Sequence, residues 1–214
     1  MIVLAFDLAT VTGFAYGEPV RGFVPKYGSY RFGQKGCSLP AKAWHAGRWF
    51  RKILLEIKPD KVVYEAPMPT GRTIGRTRTE TTTTLHGLIW QLGEITHDLD
   101  LFDLESASIS SVRNHFLGTC DLERKSGKLQ TIDICYRLGW APQDDNAADA
   151  LAIWHYKCAK INPKDFAIET APLFMQSAKL MPSPSVSPDP PEHINRPLNR
   201  KTVTSAGFGR LRFK

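Results

Sequence analysis

Two short apolar runs in this chain carry carboxylates in places where a sheet core tolerates none without compensation. Residues 2–8, IVLAFDL, enclose Asp7, and residues 61–65, KVVYE, end on Glu65. Runs this short, rich in Val and Phe and bounded by turn residues, read as buried strands. Such strands need cover on both faces, which commits the chain to a sheet flanked by helices. An ionised carboxylate is costly to bury unless a counter-charge compensates, and a metal ion is the usual one. A third acidic residue, Asp149, lies in DDNAADALAIWHY, which reads as the start of a helix. Carboxylates from two strand ends and one helix point to a divalent-cation site.

The remaining pattern fills in an α/β architecture. A turn permitted by Gly13 leads into a second strand, and residues 21–32 alternate as a third. A loop at 33–40 precedes a helix over 41–57, in which Ala43, Ala46, Trp49, Phe50, Ile53, Leu54 and Ile57 recur at helical spacing. After the strand at 61–65 comes a long Thr- and Arg-rich loop at 66–84. Then follow a helix over 85–97, a strand at 100–104, a short helix within 106–116, and helices over 127–138 and 146–160. Three strands at the front and alternating elements behind them predict a mixed sheet covered by helices. Strands of this kind present functional residues at their carboxyl ends.

The predicted division is a folded body at 1–160, an extension at 161–181, and a tail at 182–214. Residues 182–197 hold six prolines, and the composition predicts a disordered, Pro-rich basic tail. The tail has six basic and two acidic side chains, a net +4 of the chain's +7, so the body is only mildly basic. A charge of this sign favours a polyanionic partner. The four cysteines form no CxxC pair and read as free thiols of a reducing compartment. No stretch nears the roughly 20 apolar residues of a membrane span, and the apolar start is broken by Asp7 rather than preceded by a basic region. The expectation is a cytoplasmic protein with no membrane partner.

The ordered set FDLATVTG, PDKVVYEAP and DNAADALAIW resembles the RuvC-type Holliday junction resolvases of the ribonuclease H-like superfamily, over roughly residues 1–160. The resemblance implies a ribonuclease H-like fold, a five-stranded mixed sheet flanked by helices. It also implies that Asp7, Glu65 and Asp149 hold two Mg²⁺ ions, with Mn²⁺ able to substitute. A phosphodiester resists attack because phosphate and nucleophile are both shielded by negative charge. Two metals answer that problem, one generating hydroxide and the other stabilising the leaving oxygen. Mg²⁺ prefers hard oxygen ligands and keeps several waters, so a few carboxylates suffice. The implied activity is metal-dependent hydrolysis of branched DNA, four-way junctions first, by a two-fold homodimer. The helix over 85–97 is the implied interface.

The chain departs from the family pattern in two places. A fourth ligand, Asp or His, is expected three residues before the last aspartate, and here Asn146 stands there. At about 100° per residue, Asp145 lies about 40° from Asp149 around a helix, and Asn146 about 60° away on the other side. Either could complete the site, while Asp144 reads as the N-cap. The family's aromatic wedge, three positions after the glutamate, is Met68; an apolar thioether can still enter a base step. With the long Thr/Arg loop, Met68 suggests likeness to viral and prophage members that cut a wider range of branches.

Arg72, Arg76 and Arg78 in that loop are candidate phosphate contacts. The stretch ERKSGKLQ resembles the family's basic segment before a helix, with Lys128 matching its characteristic lysine and Arg124 and Lys125 close by. The resemblance gives Lys128 a place near the scissile phosphate. The six histidines form no HxH or HExxH pattern, so His86 and His155 read as surface or core residues. Two other classes fit parts of the pattern. A junction-binding protein without cleavage fits the loss of charge at 146. An actin-like ATPase fits the first motif alone.

Overall fold

The computed structural model describes residues 1–67 and 79–166. The expectations for Met68, Arg72, Arg76, Arg78 and the tail lie outside the described residues.

Five strands form one mixed sheet: β1 (Val3–Asp7), β2 (Val11–Gly17), β3 (Lys26–Arg31), β4 (Lys61–Glu65) and β5 (Leu104–Ala107). Their order is β3-β2-β1-β4-β5, which puts β1 at the centre. The first three strands pair antiparallel, whereas β4 runs parallel to both β1 and β5. The helices are α1 (Leu39–Ile57), α2 (Thr79–Asp98), α3 (Ile109–Leu117), α4 (Arg124–Arg137), α5 (Asp145–Ile161) and the short α6 (Pro163–Phe166).

The strand alternation sorts two cores. Val3 and Ala5 of β1, with Val63 of β4, face one layer, where they join Leu151, Ile153 and Trp154 of α5 and Val112 and Phe116 of α3. Leu4 and Phe6, with Val62, face the other layer and meet Trp49, Phe50 and Leu54 of α1 and Leu88 and Leu92 of α2. Phe6, Phe32, Trp49 and Phe50 pack there ring edge to ring face at centroid distances of 5.5–5.9 Å. On the α5 side, Phe166 of α6 closes the core against Trp154 and His155.

Several boundaries differ from those read in the sequence, for local reasons. Helix α1 begins at Leu39, two residues early, because the Ser38 side chain caps the Ala41 amide and Pro40 suits the first turn. Helix α2 begins at Thr79, inside the stretch expected to be loop. The hydroxyls of Thr83 and Thr84 bond back to the carbonyls of Thr79 and Glu80 at 2.9 and 2.8 Å, and Glu80 pairs with Lys42 of α1 at 2.9 Å. Strand β5 lies at 104–107 rather than 100–104. Residues 99–101 instead finish the turn after α2, where the Leu101 amide bonds to the Thr96 carbonyl, and Asp103 pairs with Lys61. Helix α4 starts at Arg124, so Arg124, Lys125 and Lys128 belong to its first turns and not to a segment before it.

Gly13 also has a different reason from a turn. It sits within β2, opposite Asp7 of β1 and Ser29 of β3. A Cβ there would stand 1.9 Å from the backbone oxygen of Asn146. Only glycine lets the first turn of α5 lie this close to the sheet.

Candidate active site

The register of the sheet fixes where the strand carboxylates point. Val3, Ala5 and Asp7 share one face of β1, and that face carries the α5 core. On β4, Val63 and Glu65 share the same face. The parallel pairing sets Ala5 beside Val63 and Phe6 beside Tyr64, so the next step along the two strands brings Asp7 beside Glu65. Both carboxylates thus leave the carboxyl ends of adjacent central strands on the α5 side.

Helix α5 supplies the third. Its N-terminus is fixed by Asp144, whose side chain accepts from the Ala147 amide at 2.8 Å and from the Ser29 hydroxyl of β3 at 2.5 Å. The close pass over Gly13 of β2, directly opposite Asp7, seats the first turn beside the central strand, and the next turn carries Asp149. The alanines at 147, 148, 150 and 152 are all buried, giving the helix a slim surface suited to close packing on the sheet.

The electrostatics record this convergence. Burial pushes the Asp7 carboxyl well above the usual carboxylate range, and the charges of Glu65 and Asp149 push it further. Burial, then Asp149, raises Glu65 to about 7. Burial raises Asp149 to about 6, with Asp145 adding to the rise and Lys128 opposing it. Asp149 thus disfavours ionisation of both strand carboxylates and Glu65 disfavours that of Asp7, so the three act as one cluster.

Asp145 differs from these three. Its carboxylate forms an ion pair with Lys128 of α4, and that hydrogen bond holds its pKa below the usual carboxylate range. The Lys128 ammonium also lies 3.9 Å from Asp149. Asn146 touches the sheet through its backbone carbonyl, at Gly13. Among the described residues, no three His, Cys, Asp or Glu side chains converge as a preformed chelate. Lys128, drawn in among them, holds Asp145 to itself. The donor set itself is hard oxygen throughout, which suits Mg²⁺ or Mn²⁺ rather than a thiolate- or imidazole-seeking ion.

Arg124 acts on this cluster from α4, favouring the ionised forms of both Glu65 and Asp149. Lys125 follows it in the same turn. One cation was missed in the sequence. Arg113 of α3 acts on Glu65 and Asp149 more strongly than Arg124 does. Its guanidinium lies over Gly127 of α4, 3.6 Å from where a Cβ would stand. Gly127 closes the first turn of α4 after Arg124, Lys125 and Ser126, and nothing in that stretch points to α3.

The remaining expectations fall as follows. His155 is buried and shares a 2.9 Å hydrogen bond with His115, whose pKa burial pushes down to about 4. Trp49, Trp140 and Trp154 are core residues, while Trp44 and Trp90 are exposed. Cys37, Cys120 and Cys135 carry free thiols. Among the described residues, no helix is long and apolar enough to cross a membrane.

No family model matches the sequence, and no curated protein matches it. Solved structures do match. Thermus thermophilus RuvC is 14% identical with a TM-score of 0.56, the match covering 75% of this chain and 96% of that one. The same organism's RuvC in complex with Holliday junction substrate is 15% identical with a TM-score of 0.54, covering 72% and 90%. The yeast mitochondrial Holliday junction resolvase Ydc2 is 11% identical with a TM-score of 0.53, covering 83% and 82%. The chain has the fold of the RuvC-type junction resolvases.

Proposed function

We propose that this chain is a divalent-metal-dependent endonuclease that hydrolyses phosphodiester bonds in branched DNA, four-way junctions first. The observation that carries the reading is the coupled cluster of Asp7, Glu65 and Asp149. Two strand ends and one helix bring it together, in a fold shared with a RuvC bound to a junction.

Asp7, Glu65 and Asp149 would hold Mg²⁺ or Mn²⁺, with Asp145 or the Asn146 amide oxygen completing the set. Bound cations would supply Lewis acidity toward the phosphate and lower the pKa of a coordinated water. The chain's own residues do the rest. The carboxylates would hold the ion against a sheet end, so that strands and not a loop would set its position. Arg113, Arg124 and Lys125 offer positive charge on the α3–α4 side, where a phosphate backbone would lie. The site sits at the carboxyl ends of β1 and β4.

Symmetric resolution of a four-way junction requires two opposed cuts, which a two-fold dimer supplies. Helix α2 is the proposed interface. Trp90 is 81% exposed there, in an open hollow formed with Gly87, Gln91, Gly93 and Glu94. An exposed tryptophan of this size is an apolar surface that the same helix of a second copy would cover. Sedimentation that returns only monomer at micromolar concentration would remove the dimer.

The function is tested by matched four-way, three-way, flap and linear substrates in Mg²⁺ and in Mn²⁺. The expected result is paired nicks in the four-way junction, weaker cutting of other branches and little of the linear duplex. Tight junction binding with no nicking in either metal would make the chain a binding protein and overturn the enzymatic reading.

A further inference from the structure

We infer that Lys128 takes the place of one of the two cations that a carboxylate cluster of this kind would otherwise recruit, so that each chain binds a single divalent cation tightly. The inference rests on the metal-dependent reading above and deepens it.

The geometry starts with where the ammonium sits. Lys128 leaves α4, crosses to α5 and ion-pairs with Asp145, and its ammonium stands 3.9 Å from Asp149. The same charge is felt at Asp7 and at Glu65. One lysine therefore acts on every carboxylate of the cluster. Its side chain is only 28% exposed, so the ammonium is partly withdrawn from water and held by its acidic partners.

Charge then decides what else the cluster can accept. Asp7, Glu65, Asp145 and Asp149 bring four negative charges. Asn146 adds none at the position one turn before Asp149. Lys128 neutralises one, and Arg113 and Arg124 add positive field at Glu65 and Asp149. One divalent ion leaves the group near balance. A second would place two more positive charges close to a fixed ammonium and in the field of two arginines, with one carboxylate already engaged by the lysine. An ammonium can also donate hydrogen bonds to oxygen anions, so the electrostatic part of a second cation's role is filled by a side chain. Lys128 is thus a positioning residue for the ion, acting through Asp145 and Asp149. This differs from the direct phosphate contact that the resemblance implied.

The test is Mn²⁺ binding to the full chain without DNA, by calorimetry and by the electron paramagnetic resonance signal of free Mn²⁺. The expected result is one ion per chain in the wild type. Lys128→Met and Lys128→Gln should then acquire a second ion or bind the first roughly tenfold more tightly. Lys128→Arg keeps the charge and should retain the wild-type stoichiometry. Two ions per wild-type chain, unchanged in both neutral variants, would overturn the inference and leave the nuclease reading intact. No Mn²⁺ binding by the wild type would overturn both.

Discussion

Replacing Glu65 with Gln should make the metal-free protein more stable while abolishing its use of metal. Glu65 titrates at about 7 in the folded chain against an ordinary 4.5, because burial and the charge of Asp149 disfavour its ionised form. The folded state therefore binds a proton more tightly than the unfolded state does. Stability from this group is fully present below about 4.5 and is lost as pH rises through about 7. Well above 7 the loss approaches about 3 kcal/mol. Glutamine removes the charge and should recover most of that. The figure is an upper one, since the amide must also leave water. For a chain of this size it corresponds to roughly 6–12 °C in melting temperature. The assay is thermal unfolding followed by circular dichroism in EDTA, at pH 8 and at pH 5. The variant should melt higher than the wild type at pH 8, the gap should close at pH 5, and Mg²⁺ should raise only the wild type at pH 8. A variant that melts no higher at pH 8 in EDTA would refute the claim that the carboxylates strain the fold.

Two further substitutions probe the supports of the site. Gly13→Ala places a methyl carbon 1.9 Å from the Asn146 carbonyl oxygen, a backbone atom that cannot swing aside. It should cost at least about 3 kcal/mol in urea unfolding, and a neutral result would mean that α5 does not pass where described. Arg113→Ala should weaken junction binding roughly tenfold, or about 1.4 kcal/mol, and reduce its salt dependence in a fluorescence titration. Unchanged affinity and slope would leave Arg113 with a structural role only.

The sequence revealed the carboxylates because they interrupt apolar runs, a local signal that survives without knowledge of strand order. That Asp7 and Glu65 are neighbours depends on β4 adding in parallel beside β1, which follows from the α1 crossover and not from either run alone. Gly13 read as a turn residue because glycine in a short segment has many uses. Its close approach to Asn146 joins positions 133 apart in the chain. Arg113 was illegible for a similar reason. Within ISSVRNHFL it is one polar residue on a helix, and it gains meaning only where α3 crosses α4 at Gly127. The start of α2 was missed because a run of threonines argues against helix. Back-bonded hydroxyls and the Lys42–Glu80 pair outweighed propensity there.

The central claim is that Asp7, Glu65 and Asp149 hold the ion that cuts DNA, separately from the cations that bind it. Asp7→Asn tests it most directly, with cleavage of a labelled four-way junction in Mg²⁺ and binding of the same junction in Ca²⁺ measured side by side. Binding within about twofold of wild type is expected, since no phosphate contact is assigned to Asp7, with no detectable nicking. Nicking at the wild-type rate would contradict it.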